Sequence, residues 1–150
     1  MNGQVALRDT THADVEAFFA HEQDPEAARR ANFTSRDRAD FFHHWEHRIL
    51  NDDTVDCQTV TVDGETAGNL VAWWQDGRRT VGYWLGREFW GRGIGTSALR
   101  QFLEREQIRP LYADADVGNA ASIRLLLRCG FEHVETLKNG DVEYVLLKLP

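Results

Sequence analysis

The chain has 150 residues, 42% hydrophobic and 27% charged, which suits one globular domain spanning 1–150 whose core needs no covalent staples. Its formal net charge of −7 lacks the basic footprint that a nucleic-acid partner requires. Its two cysteines, Cys57 and Cys129, make neither a disulfide framework nor a metal site. No apolar run nears the roughly 18 residues of a membrane span, and the N-terminus has no signal-peptide core, so a cytoplasmic protein without a membrane partner is expected.

In chain order, Val5 to Arg8 alternates as a short strand, and Thr11 caps a helix over His12 to Ala20. Pro25 opens a second helical turn. Ser35 is the expected cap of a helix over Arg36 to Leu50, in which Phe41, Trp45 and Ile49 recur at helical spacing. Three strands follow, Val55 to Val62, Ala67 to Trp74 and Thr80 to Leu85, joined by the hairpin signals Asp63-Gly64 and Asp76-Gly77 into an antiparallel meander. The pattern then becomes strand, glycine-rich turn, helix. Ala98, Leu99, Phe102 and Leu103 share one helix face. Leu111 to Ala115 is a strand, and Asn119 opens a helix that turns Ile123, Leu126 and Leu127 inward and ends at Gly130. Cys129, behind Leu125 to Leu127, reads as a buried thiol. Phe131 to Leu137 and Val142 to Leu149 form a last hairpin through Asn139-Gly140. The expected fold is α+β or α/β: a mixed, mostly antiparallel sheet with helices on both faces.

The strongest chemical signal is Trp90-Gly91-Arg92-Gly93-Ile94-Gly95-Thr96. Alternating glycines let the backbone turn sharply and approach a ligand, and the helix that follows aims unsatisfied N–H groups at the same place. That combination binds phosphate, and Arg92 can add a charge-assisted hydrogen bond. A nucleoside-triphosphate loop needs a Lys before its Ser/Thr, and Gly95 stands there. Gly93 to Ala98 does match the dinucleotide fingerprint G-x-G-x-x-A, with Asp114 about 20 residues on. Against a nicotinamide or flavin site stand the antiparallel meander before the motif and the short chain after it.

Tyr83-Trp84-Leu85-Gly86-Arg87-Glu88-Phe89 running into the glycine-rich turn resembles the acyl-CoA motif of the GNAT superfamily of N-acetyltransferases. Asn119-Ala120-Ala121-Ser122, followed by Gly130-Phe131, resembles its second motif. Within the superfamily, the strand and the Trp-Gly are similar to the ribosomal-protein N-terminal acetyltransferases. The resemblance implies a GNAT fold and an enzyme that moves an acetyl group from acetyl-CoA to a primary amine by direct attack, with both substrates bound. It implies that backbone groups of Tyr83, Trp84 and Leu85 hold the pantetheine arm and thioester, that amides from Trp90, Gly91, Arg92, Gly93, Ile94, Gly95 and Thr96 hold the pyrophosphate, and that Asn119 meets the pantetheine. Asn119 reads equally as a helix cap. A non-catalytic acyl-CoA-binding module is the second reading, because Leu126 fills the place where many relatives carry an acidic Tyr.

Ser122 is the nearest hydroxyl for protonating the leaving thiolate, or it packs at the helix start. Asp114 matches a position that holds a catalytic Glu in some relatives, or it is a solvent-facing strand-end acid. Family position makes Phe33, Phe41, Trp45, Trp73 and Trp74 candidates for the acceptor wall. Ordinary core packing is the other reading of each. Trp73 and Trp74 point to opposite faces of their strand. His43 and His44 lack a third ligand at matching spacing, so no metal is expected. Arg29, Arg30, Arg36 and Arg38 form a basic run that is either solvated surface or a contact for phosphates or an acidic substrate. The resemblance leaves the acceptor open among protein N-termini, aminoglycosides, polyamines and amino acids, and it allows a homodimer.

Overall fold

The computed structural model describes residues 3–32 and 34–150. Among these, seven strands form one sheet in the order β1-β2-β3-β4-β5-β7-β6. The strands are β1 (Val5–Asp9), β2 (Asp56–Val62), β3 (Glu65–Gln75), β4 (Arg78–Leu85), β5 (Leu111–Asp116), β6 (Glu132–Asn139) and β7 (Val142–Leu149). Every neighbouring pair is antiparallel except β4 and β5. The meander turns are the expected ones: Asp63-Gly64 and Asp76-Gly77 both have positive φ at each residue, the geometry that matches strand twist. Asn139 belongs to β6, so the last hairpin turns at Gly140-Asp141 instead.

Helices α1 (His12–Glu22), α2 (Pro25–Ala31) and α3 (Arg38–His44) precede β2, while α4 (Ile94–Arg105) and α5 (Ala120–Arg128) follow β4 and β5. Ser35 is not the cap of α3. Asp37 is, its side chain accepting from the Asp40 amide, which starts the helix later than expected. From Trp45 to Leu50 the same helix widens into a π segment, a form that often marks functional sites.

One face of the sheet packs on α4 and α5 through Leu70, Phe102, Leu111 and Leu126, all at most 1% exposed. The other packs on α1 and α3 through Phe18, Phe41, Trp45 and Val71. On α5 the inward residues are Ile123, Leu125 and Leu126. Leu127, expected inside, is 48% exposed because it lies one step of about 100° beyond that face. Cys129 is half-buried rather than fully buried. No described helix is long and apolar enough to cross a membrane.

The register slips in β3. Val60 pairs with Gly68, yet Thr61 pairs with Thr66, which leaves Ala67 as the extra residue of a β-bulge. Its carbonyl accepts the Gly86 amide at 2.8 Å. Beyond the bulge, Asn69, Val71 and Trp73 face α1 and α3.

Candidate active site

Strands β4 and β5 pair only at Arg79–Leu111 and Thr80–Tyr112. Beyond those pairs they separate, so the β5-facing edge of β4 from Val81 to Leu85 has no strand partner. Its backbone polar groups must find another partner or water. The opening is a cleft of about 580 Å³ that runs from β4 past the glycine-rich turn to α5.

The turn is built for an anion. Gly93 is the N-cap of α4 with φ +74°, and no side chain caps the helix. Its carbonyl takes the Ser97 amide, so the amides of Ile94, Gly95 and Thr96 have no intrahelical acceptor. Gly95 serves another end: a Cβ there would meet Leu125 Cδ1 at 2.6 Å, so it lets α4 and α5 pack closely. Trp90 fixes the loop by donating from Nε1 to the Leu85 carbonyl at 3.1 Å.

All the expected coenzyme residues line this cleft except Arg92, whose guanidinium lies over the Phe89 ring and donates to the Glu88 carbonyl. Arg30, Arg124 and Arg128 supply the positive lining instead. The spacing of the motif gave no signal of Arg124 or Arg128, because α5 brings them in from a distant part of the chain. Of the basic run, Arg30 stacks on Trp90 at 4.5 Å, Arg29 pairs with Glu26, Arg38 pairs with Glu16, and Arg36 pairs with Glu22.

Asn119 does cap α5, its Oδ1 accepting the Ser122 amide at 3.3 Å, and it also faces the cleft. Ser122 Oγ lies 2.6 Å from the Tyr83 hydroxyl, which also sits 3.3 Å from the Ser122 carbonyl oxygen. Burial pushes the Tyr83 phenol up to about 12, against a smaller lowering by Ser122, so it keeps its proton. Only the main chain of Tyr83 was expected to matter; the phenol pairing follows from which face of β4 it takes. Leu126 is fully buried core.

Because Thr80 and Tyr112 are register partners, Gly82 and Trp84 share a sheet face with Asp114. Asp114 lines the cleft at its solvent margin. The protein around its carboxyl strips enough water to raise its pKa above the ordinary value.

A second cavity, of about 760 Å³, opens on that same face beneath α1 and α3. Phe41, Trp45, Trp73 and Trp74 line it, as do Phe18 and Trp84. Phe41 and Trp45 are also core, whereas Trp74 is 49% exposed at the rim. Phe33 lies outside the described residues. His43, His44, Arg48 and Asn69 also line this cavity and were not expected there. The two cavities share only Gly82, Tyr83 and Trp84 among their described lining residues. Among the described residues no cluster of three His, Cys, Asp or Glu side chains could hold a metal.

A family model described as an acetyltransferase (GNAT) domain matches residues 4–132. No curated protein matches the chain by sequence. Among solved structures, the chain is similar to a ribosomal L7/L12 alpha-N-protein acetyltransferase, RimL, in complex with coenzyme A, with TM-score 0.77 and 20% identity over 95% of this chain and 92% of that one. It is similar to the aminoglycoside acetyltransferase AAC(6')-Ib in complex with coenzyme A, with TM-score 0.76 and 21% identity over 97% and 95%. It is also similar to a spermidine N-acetyltransferase chimera built from the Vibrio cholerae enzyme, with TM-score 0.80 and 12% identity over 97% and 95%.

Proposed function

The chain belongs to the GNAT acetyltransferase family, an acetyl-CoA-dependent N-acetyltransferase, and we propose that it transfers acetyl directly to a primary amine where its two cavities meet, at Gly82–Trp84. That junction is the observation that carries the reading. A donor in the β4–β5 cleft and an acceptor under α1 and α3 would approach from either side of one strand. Holding both in attack geometry supplies much of the rate. The dinucleotide reading of the glycine motif falls with the family match.

The cleft fits acetyl-CoA: an open strand edge for an amide-rich arm, three free helix-start amides and three arginines for phosphates. Acetyl-CoA supplies the thioester carbonyl and a thiolate leaving group. Backbone N–H groups of the open β4 edge stabilise charge on the carbonyl oxygen. Asp114, on the acceptor face, accepts the proton of the attacking amine, and its raised pKa makes it a better base. Ser122, on the opposite face and hydrogen-bonded to Tyr83, gives a proton to the sulfur. Leu126 has no proton to give, and this serine–phenol pair answers its absence. The two free cysteines fit a reducing cytoplasm as the setting.

Thermal-shift titration tests the coenzyme site. Acetyl-CoA raises Tm and NAD does not. Gly93→Glu, which puts a carboxylate among the helix-start amides, abolishes the shift. Arg124→Glu with Arg128→Glu, both exposed, leaves the unliganded Tm unchanged and weakens binding by roughly tenfold or more. Full affinity in the double variant would place the phosphates elsewhere.

A further inference from the structure

We propose that the acceptor is a small monoamine that carries an aromatic or apolar body and a carboxylate, as an apolar amino acid does, and that Asn69 and Arg48 recognise it. This rests on the reading of the larger cavity as the acceptor site.

The carboxylates of that cavity are too few for a polycation. Its described lining holds two, Glu22 and Asp52. Both oxygens of Glu22 are engaged by the Arg36 guanidinium, at 3.2 and 3.1 Å. Asp52 uses one oxygen to accept from the Thr54 amide and hydroxyl, so only its other oxygen is unengaged. A polyamine or aminoglycoside brings several ammonium groups and would leave most of them unpaired against hydrocarbon. The chain's overall negative charge can steer such a molecule toward the protein but cannot pair it inside.

The cation count runs the other way. Arg48 lines the cavity and makes no hydrogen bond or ion pair with any described residue. Arg36, the other arginine of the lining, is paired with Glu22, so the exposed Arg48 is the lining guanidinium placed to take an anion. A guanidinium fits a carboxylate in two-pronged fashion. Phe18, Trp45 and Trp73 supply the apolar wall.

Asn69 adds the second, independent pointer. It is 6% exposed, lines the cavity from β3, and its carboxamide has no hydrogen-bond partner among the described residues. Its polar atoms open onto the cavity, where they can hydrogen-bond a ligand's polar group. Its register partner is Trp84, which puts it beside the transfer point.

Thiol release with phenylalanine, phenethylamine and spermidine tests the proposal, because the first two differ only in the carboxylate. Phenylalanine is expected to be the best of the three. In Arg48→Gln the ratio of kcat/KM for phenylalanine over phenethylamine falls about tenfold, while KM for acetyl-CoA is unchanged. Comparing the ratio between enzymes cancels the different basicities of the two amines. Asn69→Ala lowers kcat/KM for both amines by about tenfold or more. Preference for spermidine, no turnover of any of the three, or an unchanged ratio in Arg48→Gln would overturn the acceptor class. Acetyl-CoA thermal shifts run alongside separate the failures: loss of the shift removes the coenzyme site itself, and its retention confines the failure to the acceptor.

Discussion

Tyr83 carries its phenol on one face of β4, whereas Gly82 and its neighbour Trp84 present the other. In the proposed reaction that alternation divides the proton traffic: Asp114 lies on the sheet face of Gly82 and Trp84, and Ser122 on that of the Tyr83 phenol. Ser122→Ala is expected to lower kcat by roughly 10²-fold with little change in KM for acetyl-CoA. Asp114→Asn is expected to lower kcat comparably and to remove the acidic limb of its pH profile, since a base works only above its own raised pKa. A wild-type limb that persists in Asp114→Asn would give that ionisation to the amine instead. Gly93, Asn119 and Ser122 were legible in the sequence because local motifs fix them. Asn69 and Arg48 were not. Asn69 reaches its cavity face only through the bulge at Ala67, and Arg48 lines the cavity from the π segment of its helix.

Among the elements, α1 is held to the sheet by one dense network. Asp14 accepts two bonds from Arg8 at 2.7 Å, one from the Thr11 amide and one from the fully buried Thr59 hydroxyl. Burial pushes this carboxyl up, but those donors outweigh it and bring the pKa down to about 2. The folded value lies below the unfolded one, so the stabilisation is complete above roughly pH 4 and is lost as pH falls toward 2. Urea denaturation should find Asp14→Asn less stable by roughly 2 kcal/mol at neutral pH, with less further loss on acidification than the wild type. An unchanged acid slope would contradict that assignment. Most element positions were readable from period and turn residues, as at Asp63-Gly64. Asp37 displaced Ser35 as the cap of α3 because both are good cap residues, and only the tertiary path of the chain decides between them. Leu127 misled because three consecutive leucines cannot all lie on one face of a helix.

Across the whole molecule, the site lies where the sheet opens. Parallel pairing between β4 and β5 stops after two residue pairs, which leaves a gap wide enough for a cleft, while the neighbouring strand pairs run on through their bulges. The order of elements was legible from the period and turn residues; the gap and the acceptor wall came only as what the family resemblance implies, since both arise where distant segments meet. Direct transfer at the junction of the two cavities, Gly82–Trp84, as proposed, needs donor and acceptor bound together. Initial rates measured while acetyl-CoA and an amine are varied against each other address this most directly. Direct transfer gives intersecting double-reciprocal lines. Parallel lines, the signature of an acetylated enzyme that has already released coenzyme A, would contradict it.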